Sequence, residues 1–153
     1  MKLIVGQKNF KKALIITERV VIKNSSLPIL SNILLKTENG RLKISATNLE
    51  MGITCFVGAK IEEQGEITIP GRILTDFVSI IQDDRIELST KQNSLVVVSD
   101  QYRTHILGAD AKEFPIIPKI KIPAFSKINT NDLKSFLIPV MDSVATSESR
   151  PEL

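Results

Sequence analysis

The chain has 153 residues, 42% hydrophobic and 24% charged, the balance of an ordinary folded domain rather than a disordered or fibrous chain. No apolar run reaches the length of a membrane span. Met1-Lys2-Leu3-Ile4-Val5 is too short and polar-flanked for a signal peptide, and the single Cys55 cannot form an internal disulfide, so a reducing cytoplasm is expected. A net charge of +3 and a pI of about 9.0 are compatible with nucleic acid but too mild to imply it.

Lys2 to Val5 predicts a short strand. From Gln7 the positions Phe10, Ala13, Leu14 and Thr17 follow the stripe of an amphipathic helix, although the β-branched runs Ile15-Ile16-Thr17 and Val20-Val21-Ile22 weaken its end. Ile29 to Thr37 predicts a strand turning at Asn39-Gly40, residues that tolerate the positive φ of a type I′ hairpin. Leu42, Ile44 and Ala46 alternate with Lys43 and Ser45 as a half-buried strand does, and Met51 to Lys60 supplies a third strand. The order then repeats. Glu66 to Ile69 is a strand, and Pro70 suits the first turn of a helix striped by Leu74, Phe77, Val78 and Ile81. Arg85 to Thr90, Ser94 to Ser99 and Arg103 to Leu107 complete the set. The chain therefore reads as β-α-β-β-β written twice, an α+β architecture with two helices on one face of a largely antiparallel sheet. The expected core is Leu3, Val5, Phe10, Leu14, Ile33, Leu35, Leu42, Ile44, Ile53, Leu74, Phe77 or Val78, Leu88 and Val97.

After Leu107 the texture changes. Phe114-Pro115-Ile116-Ile117-Pro118 and Ile122-Pro123 force extended backbone before each proline, as in a linker. A third start follows, with Ile128, Leu133 and Leu137 spaced as Val5, Phe10 and Leu14 are, and with Lys134 in the place of Lys11. The expected organisation is a domain at 1–118, a linker at 119–125, and the first strand and helix of a second domain within 126–153.

Little of this supports catalysis. His105, the only histidine, lies mid-strand without a ligand set at suitable spacing, and Cys55 alternates with Ile53 and Val57 as a small core residue would. Asp83-Asp84 has the placement of turn chemistry, and no glycine-rich phosphate loop occurs, so neither metal nor cofactor is expected. Basic residues carry more. Lys8, Lys12, Arg19 and Lys23 recur along the first helix and its exit, Arg72 opens the second, and Lys134 lies in the third. If the helices share one face, these charges add to a positive wall for phosphates, while 5% aromatics disfavour single-strand stacking.

Four segments are distinctive together: Leu27-Pro28-Ile29-Leu30, Thr47-Asn48-Leu49-Glu50, Ile69-Pro70-Gly71-Arg72 and Glu148-Ser149-Arg150-Pro151-Glu152-Leu153. With them the whole chain resembles the N-terminal domain, and the start of the second, of the bacterial sliding clamp, the beta subunit of DNA polymerase III. The resemblance implies the DNA-clamp fold. It also implies a non-catalytic processivity factor: two chains joined head to tail in a ring around duplex DNA, helices lining the hole, with the replicative polymerase and the clamp loader engaging regions beyond this stretch. Carried over by position, it puts Lys12, Lys23, Asn24 and Arg72 on the DNA-facing side, Asn24 standing where the family often has arginine. It puts Ile73, Phe77, Arg103, Thr104 and Ile106 at the subunit interface. The alternative is a small α+β protein-interaction module using the Arg103 to Leu107 edge without a DNA role; an enzyme built from Asp and Lys residues is the third reading.

Overall fold

The computed structural model describes residues 1–21, 27–118 and 126–144. It falls into two compact units, Met1–Ile117 and Pro118–Leu153. The first unit contains eight strands and two α-helices in the order β1 (Lys2–Gly6), α1 (Gln7–Glu18), β2 (Asn32–Glu38), β3 (Arg41–Thr47), β4 (Gly52–Glu63), β5 (Glu66–Pro70), α2 (Gly71–Ile80), β6 (Arg85–Lys91), β7 (Ser94–Val98) and β8 (Arg103–Leu107). The sequence repeat is therefore a structural repeat. It also interleaves: the spatial order β5-β2-β3-β4-β1-β6-β7-β8 sets each three-stranded meander beside the other repeat's first strand. Every pairing is antiparallel.

The two ends of this sheet also meet. Ala109, just past β8, exchanges two backbone hydrogen bonds with Thr68 of β5, at 3.0 and 3.2 Å. Gly108 makes the approach possible, because a Cβ there would collide with the Thr68 carbonyl. The long strand β4 joins the half-sheets, pairing with β3 through its first half and with β1 through its second.

α1 and α2 pack side by side on one face of the sheet. Phe10, Ala13 and Leu14 point inward from α1, and Leu74 and Val78 from α2. They meet Leu3, Val5, Ile33, Leu35, Leu42, Ile44, Leu88 and Val97 from the strands. Ile53 and Phe77 are only partly buried at the margin of this core. The β-branched run does not stop α1 early. Thr17 turns its hydroxyl back onto the Ala13 and Leu14 carbonyls at 2.9 and 3.1 Å, and the helix runs to Glu18.

The helices also finish one another. α2 has no glycine at its C-terminus to recover its last carbonyls. Instead the buried Gln7 side chain donates to the carbonyls of Val78 at 3.1 Å and Ile81 at 2.9 Å, and Lys11 donates to that of Ser79 at 3.1 Å. The Gln7 backbone N–H in turn donates to the Asp84 carbonyl. The Asp83 carboxylate accepts from the Gln101 N–H at 3.3 Å.

Three local expectations are corrected. Ile29 to Ser31 is not strand: Pro28–Ser31 forms a 3₁₀ turn, closed by Ser31 Oγ donating to the Pro28 carbonyl, and β2 starts at Asn32. Pro70 precedes α2 as its N-cap rather than occupying its first turn. The strand expected around Ile128 is absent. Residues 126–129 are irregular, since a strand needs a ladder partner, and helix α3 (Thr130–Met141) begins behind an Asn129 cap. Leu133, Phe136, Leu137 and Val140 are all exposed on α3. The expected linker 119–125 and residues 145–153 lie outside the described residues.

The Thr47-Asn48-Leu49-Glu50 motif is explained locally. Asn48 Oδ1 accepts from the N–H groups of Glu50 and Met51, and Thr47 Oγ1 from that of Leu49. Together they hold Leu49 at φ 76°, a left-handed conformation rare for a leucine. Asn39 and Gly40, at φ 49° and 73°, make the expected hairpin turn.

Candidate nucleic-acid interface

Because Phe10, Ala13, Leu14 and Thr17 turn inward, helical geometry fixes what α1 and its C-cap show to solvent: Lys8, Asn9, Lys12, Ile15, Ile16 and Arg19. Lys8, Lys12 and Arg19 have no ion-pair partner among the described residues. Lys11 lies on the flank towards α2, where its ammonium is occupied by the Ser79 carbonyl. Ile15 and Ile16, 38% and 39% exposed, form an apolar strip between the cations.

Charge on the strands is arranged differently. Lys2 meets Glu62 at 2.9 Å, Lys36 meets Glu66 at 2.6 Å across the β2–β5 ladder, and Lys43 meets Glu38 at 3.2 Å. The hydrogen bond from Lys2 holds the Glu62 carboxyl below its ordinary range, and bonds to Glu62 and Glu66 raise Lys2 and Lys36. These pairs are too exposed to weigh much in stability. Their effect is on distribution: these strand lysines are matched by carboxylates, whereas, among the described residues, Lys8, Lys12 and Arg19 on the α1 side are not.

The expected site residues do not all fall together. Lys12 stands near the middle of the α1 surface. Arg72, the second residue of α2, is exposed but has a carboxylate beside it, Asp76 one turn on at 3.6 Å. The i,i+4 spacing of Arg72 and Asp76 was the signal in the sequence for this pair. Lys23 and Asn24 lie outside the described residues.

β8 lies at one end of the strand order, paired on one side with β7. Arg103, His105 and Leu107 point to the outer face, while Thr104 and Ile106 point towards the helices. Ile106, expected to meet a partner, is 5% exposed and packs in the core opposite Leu95, so only its main chain is offered at the edge. Leu107, at 73% exposure, is the apolar residue that faces outward; alternation from the buried Leu95 and Val97 was the clue. On α2, Ile73 and Ile80 are exposed, and the half-buried Phe77 meets Tyr102 edge to face with ring centres 6.5 Å apart.

Among the described residues no three His, Cys, Asp or Glu side chains gather to hold a metal, and no helix is long and apolar enough to cross a membrane. Burial pushes the Cys55 thiol up, away from a reactive thiolate.

Residues 1–118 match the family model of the DNA polymerase III beta subunit, N-terminal domain. A curated relative, the beta sliding clamp of Caulobacter vibrioides, is 31% identical over 153 residues, covering 98% of this chain and 41% of its own length. The solved sliding clamp of Bartonella birtlesii, bound to griselimycin, superposes with a TM-score of 0.90 at 29% identity, over 98% of this chain and 41% of that one. The Helicobacter pylori beta clamp, solved with a DNA ligase peptide, superposes with a TM-score of 0.75 at 27% identity, over 79% of this chain and 34% of that one. The chain thus spans about two fifths of the length of the relatives it matches. The interleaved β-α-β-β-β repeat and the match over residues 1–118 agree: this chain belongs to the DNA polymerase III beta subunit, or beta sliding clamp, family.

Proposed function

We propose that this chain supplies the first domain of a ring that encloses duplex DNA and tethers the replicative polymerase to it, as a cytoplasmic accessory factor with no catalytic step of its own. The observation that carries the reading is the α1 surface, where Lys8, Lys12 and Arg19 stand without ion-pair partners among the described residues. Cations spaced along a helix meet phosphates without reading bases, and a ring that holds DNA by enclosure needs no stronger grip. Lys23, Asn24 and Arg72 would extend this wall. Ring closure, head to tail with a second copy, would use the main-chain edge of β8 with Arg103, Thr104 and Leu107, beside Ile73 and Phe77 of α2. The free β8 edge and the exposed α2 stripe support this. We further propose 1–118 as the complete first domain, 119–125 as a linker, and the segment from 126 as the start of a second clamp domain, whose neighbours would cover the apolar side of α3. Polymerase and clamp loader would then dock on the further length seen in the relatives.

Fluorescence anisotropy on two unrelated duplexes across a salt series tests the wall. Expected is weak binding, with a dissociation constant on the order of 10⁻⁴ M or weaker at physiological salt, equal for both duplexes and steeply salt-dependent. Lys12→Ala should weaken both equally and lower the salt slope by about one. Binding that discriminates between the duplexes, or that ignores salt and Lys12→Ala, would overturn the proposal.

A further inference from the structure

The two halves of the fold offer an internal comparison of charge. α1 and α2 follow the equivalent strands β1 and β5, so Lys8 and Arg72 are the second residues of equivalent helices, and Lys12 and Asp76 the sixth. Both helices open with a cation. One turn later α1 adds a second cation, whereas α2 places a carboxylate 3.6 Å from Arg72 Nε. Both side chains of that pair are well exposed, 66% and 73%, and Asp76 has no other polar partner among the described residues. The pair therefore contributes little to packing. Its principal effect is on the field outside α2.

We propose that Asp76 is a determinant of how tightly the helix surface holds duplex DNA, acting as a brake that cancels Arg72 and leaves the grip to α1. The inference rests on the reading of the helices as a phosphate-facing wall and assigns its two halves different roles. A phosphate approaching α1 meets Lys8 and Lys12 in succession. One approaching α2 meets a cation whose charge is already matched, so contact there must first break the pair or accept the carboxylate's repulsion. Each phosphate neutralised adds nearly one unit to the salt slope, so an idle Arg72 is a contact withheld. A ring already retains its DNA by enclosure. Additional phosphate contacts would add drag to translation along the duplex, and Asp76 keeps them few.

The test is anisotropy on one duplex from about 50 mM salt upward, with Asp76→Asn, Arg72→Ala, the double variant and Lys12→Ala in the 153-residue chain. Asp76→Asn should bind roughly threefold to tenfold more tightly at about 50 mM salt and steepen the salt slope by about one. Arg72→Ala alone leaves the Asp76 carboxylate unmatched and should weaken binding, whereas added to Asp76→Asn it should abolish the gain and return affinity to within about twofold of the unaltered chain. Asp76→Ala repeats the test with a second neutral side chain, and far-UV circular dichroism checks the fold of each variant. If Lys12→Ala weakens binding while Asp76→Asn leaves it unchanged or weaker, Asp76 is not a brake, and the α1 surface alone stands. If neither variant alters a salt-insensitive signal, the wall reading fails and this inference with it.

Discussion

Gln7 ties the two helices together, and its replacement gives a sharp test of the fold. Its side-chain amide, 7% exposed, is the donor for two carbonyls at the end of α2, those of Val78 and Ile81. In Gln7→Ala both lose that donor in a place with little access to water. A buried acceptor stripped of its partner costs about 1–3 kcal/mol, so two, partly relieved by relaxation, give an expected loss of about 2–4 kcal/mol. Gln7→Glu keeps the volume and reverses the chemistry, aiming a carboxylate at two carbonyl oxygens. Burial and those dipoles favour its protonated form, which raises the folded-state pKa above the unfolded value of about 4.3. A raised pKa contributes stability that is present below the unfolded value and is lost as pH rises through the folded one. Relative to wild type at each pH, Gln7→Glu should therefore be least destabilised near pH 4 and most destabilised near pH 8. Urea unfolding followed by far-UV circular dichroism, with m held common, measures both variants. A loss below about 0.5 kcal/mol for Gln7→Ala, the range of surface substitutions, would refute the capping role. So would a Gln7→Glu penalty that does not change with pH.

Phe10 is fully buried beneath α1, so Phe10→Ala should cost about 3–5 kcal/mol by urea denaturation; a shift below about 1 kcal/mol would mean that its ring does not sit in the core. Helix α3 leaves Leu133, Phe136 and Leu137 exposed and carries Pro139, which has no N–H to donate to Ser135. Its amides should exchange with deuterium far faster than those of β3 in dilute monomeric protein; protection equal to that of Leu42 to Ala46 would count against this.

How much of this was legible in the sequence depended on how local each cause is. Strands β3 and β6 to β8, the Asn39-Gly40 turn and the inward stripe of α1 follow from periods of two and 3.6 and from turn chemistry, so they could be read to within a residue or two. Pro28 to Ser31 could not, because an apolar run before a strand looks the same whether it is extended or wound into a single 3₁₀ turn. The missing strand at Ile128 failed for another reason. Its pattern matched Val5, but Val5 is a strand residue because Ala59 and Ile86 flank it, and pairing of that kind lies outside a local pattern. The interleaving of the meanders was equally hidden, since β1 must find β4 and β6 across long stretches of chain.

The candidate site divides along the same line. Lys8, Lys12 and Arg19 were legible because a helix exposes whatever its core stripe does not claim. Ile106 was not, since whether a β8 side chain faces inward depends on its register with Leu95 and Val97 of β7. Lys11 shows the limit of counting charges. By spacing it belongs with Lys8 and Lys12, yet the Ser79 carbonyl engages it, and it serves α2 rather than any ligand. Arg72 shows the same limit on the other helix. What distinguishes one cation from another on these helices is the company of its charged end: carboxylate for Arg72, carbonyl for Lys11, solvent for Lys8 and Lys12. Each cation free to meet a phosphate displaces counterions condensed on the duplex, so on the proposed reading the α1 surface, rather than the total of basic residues, would set how this chain meets a polyanion.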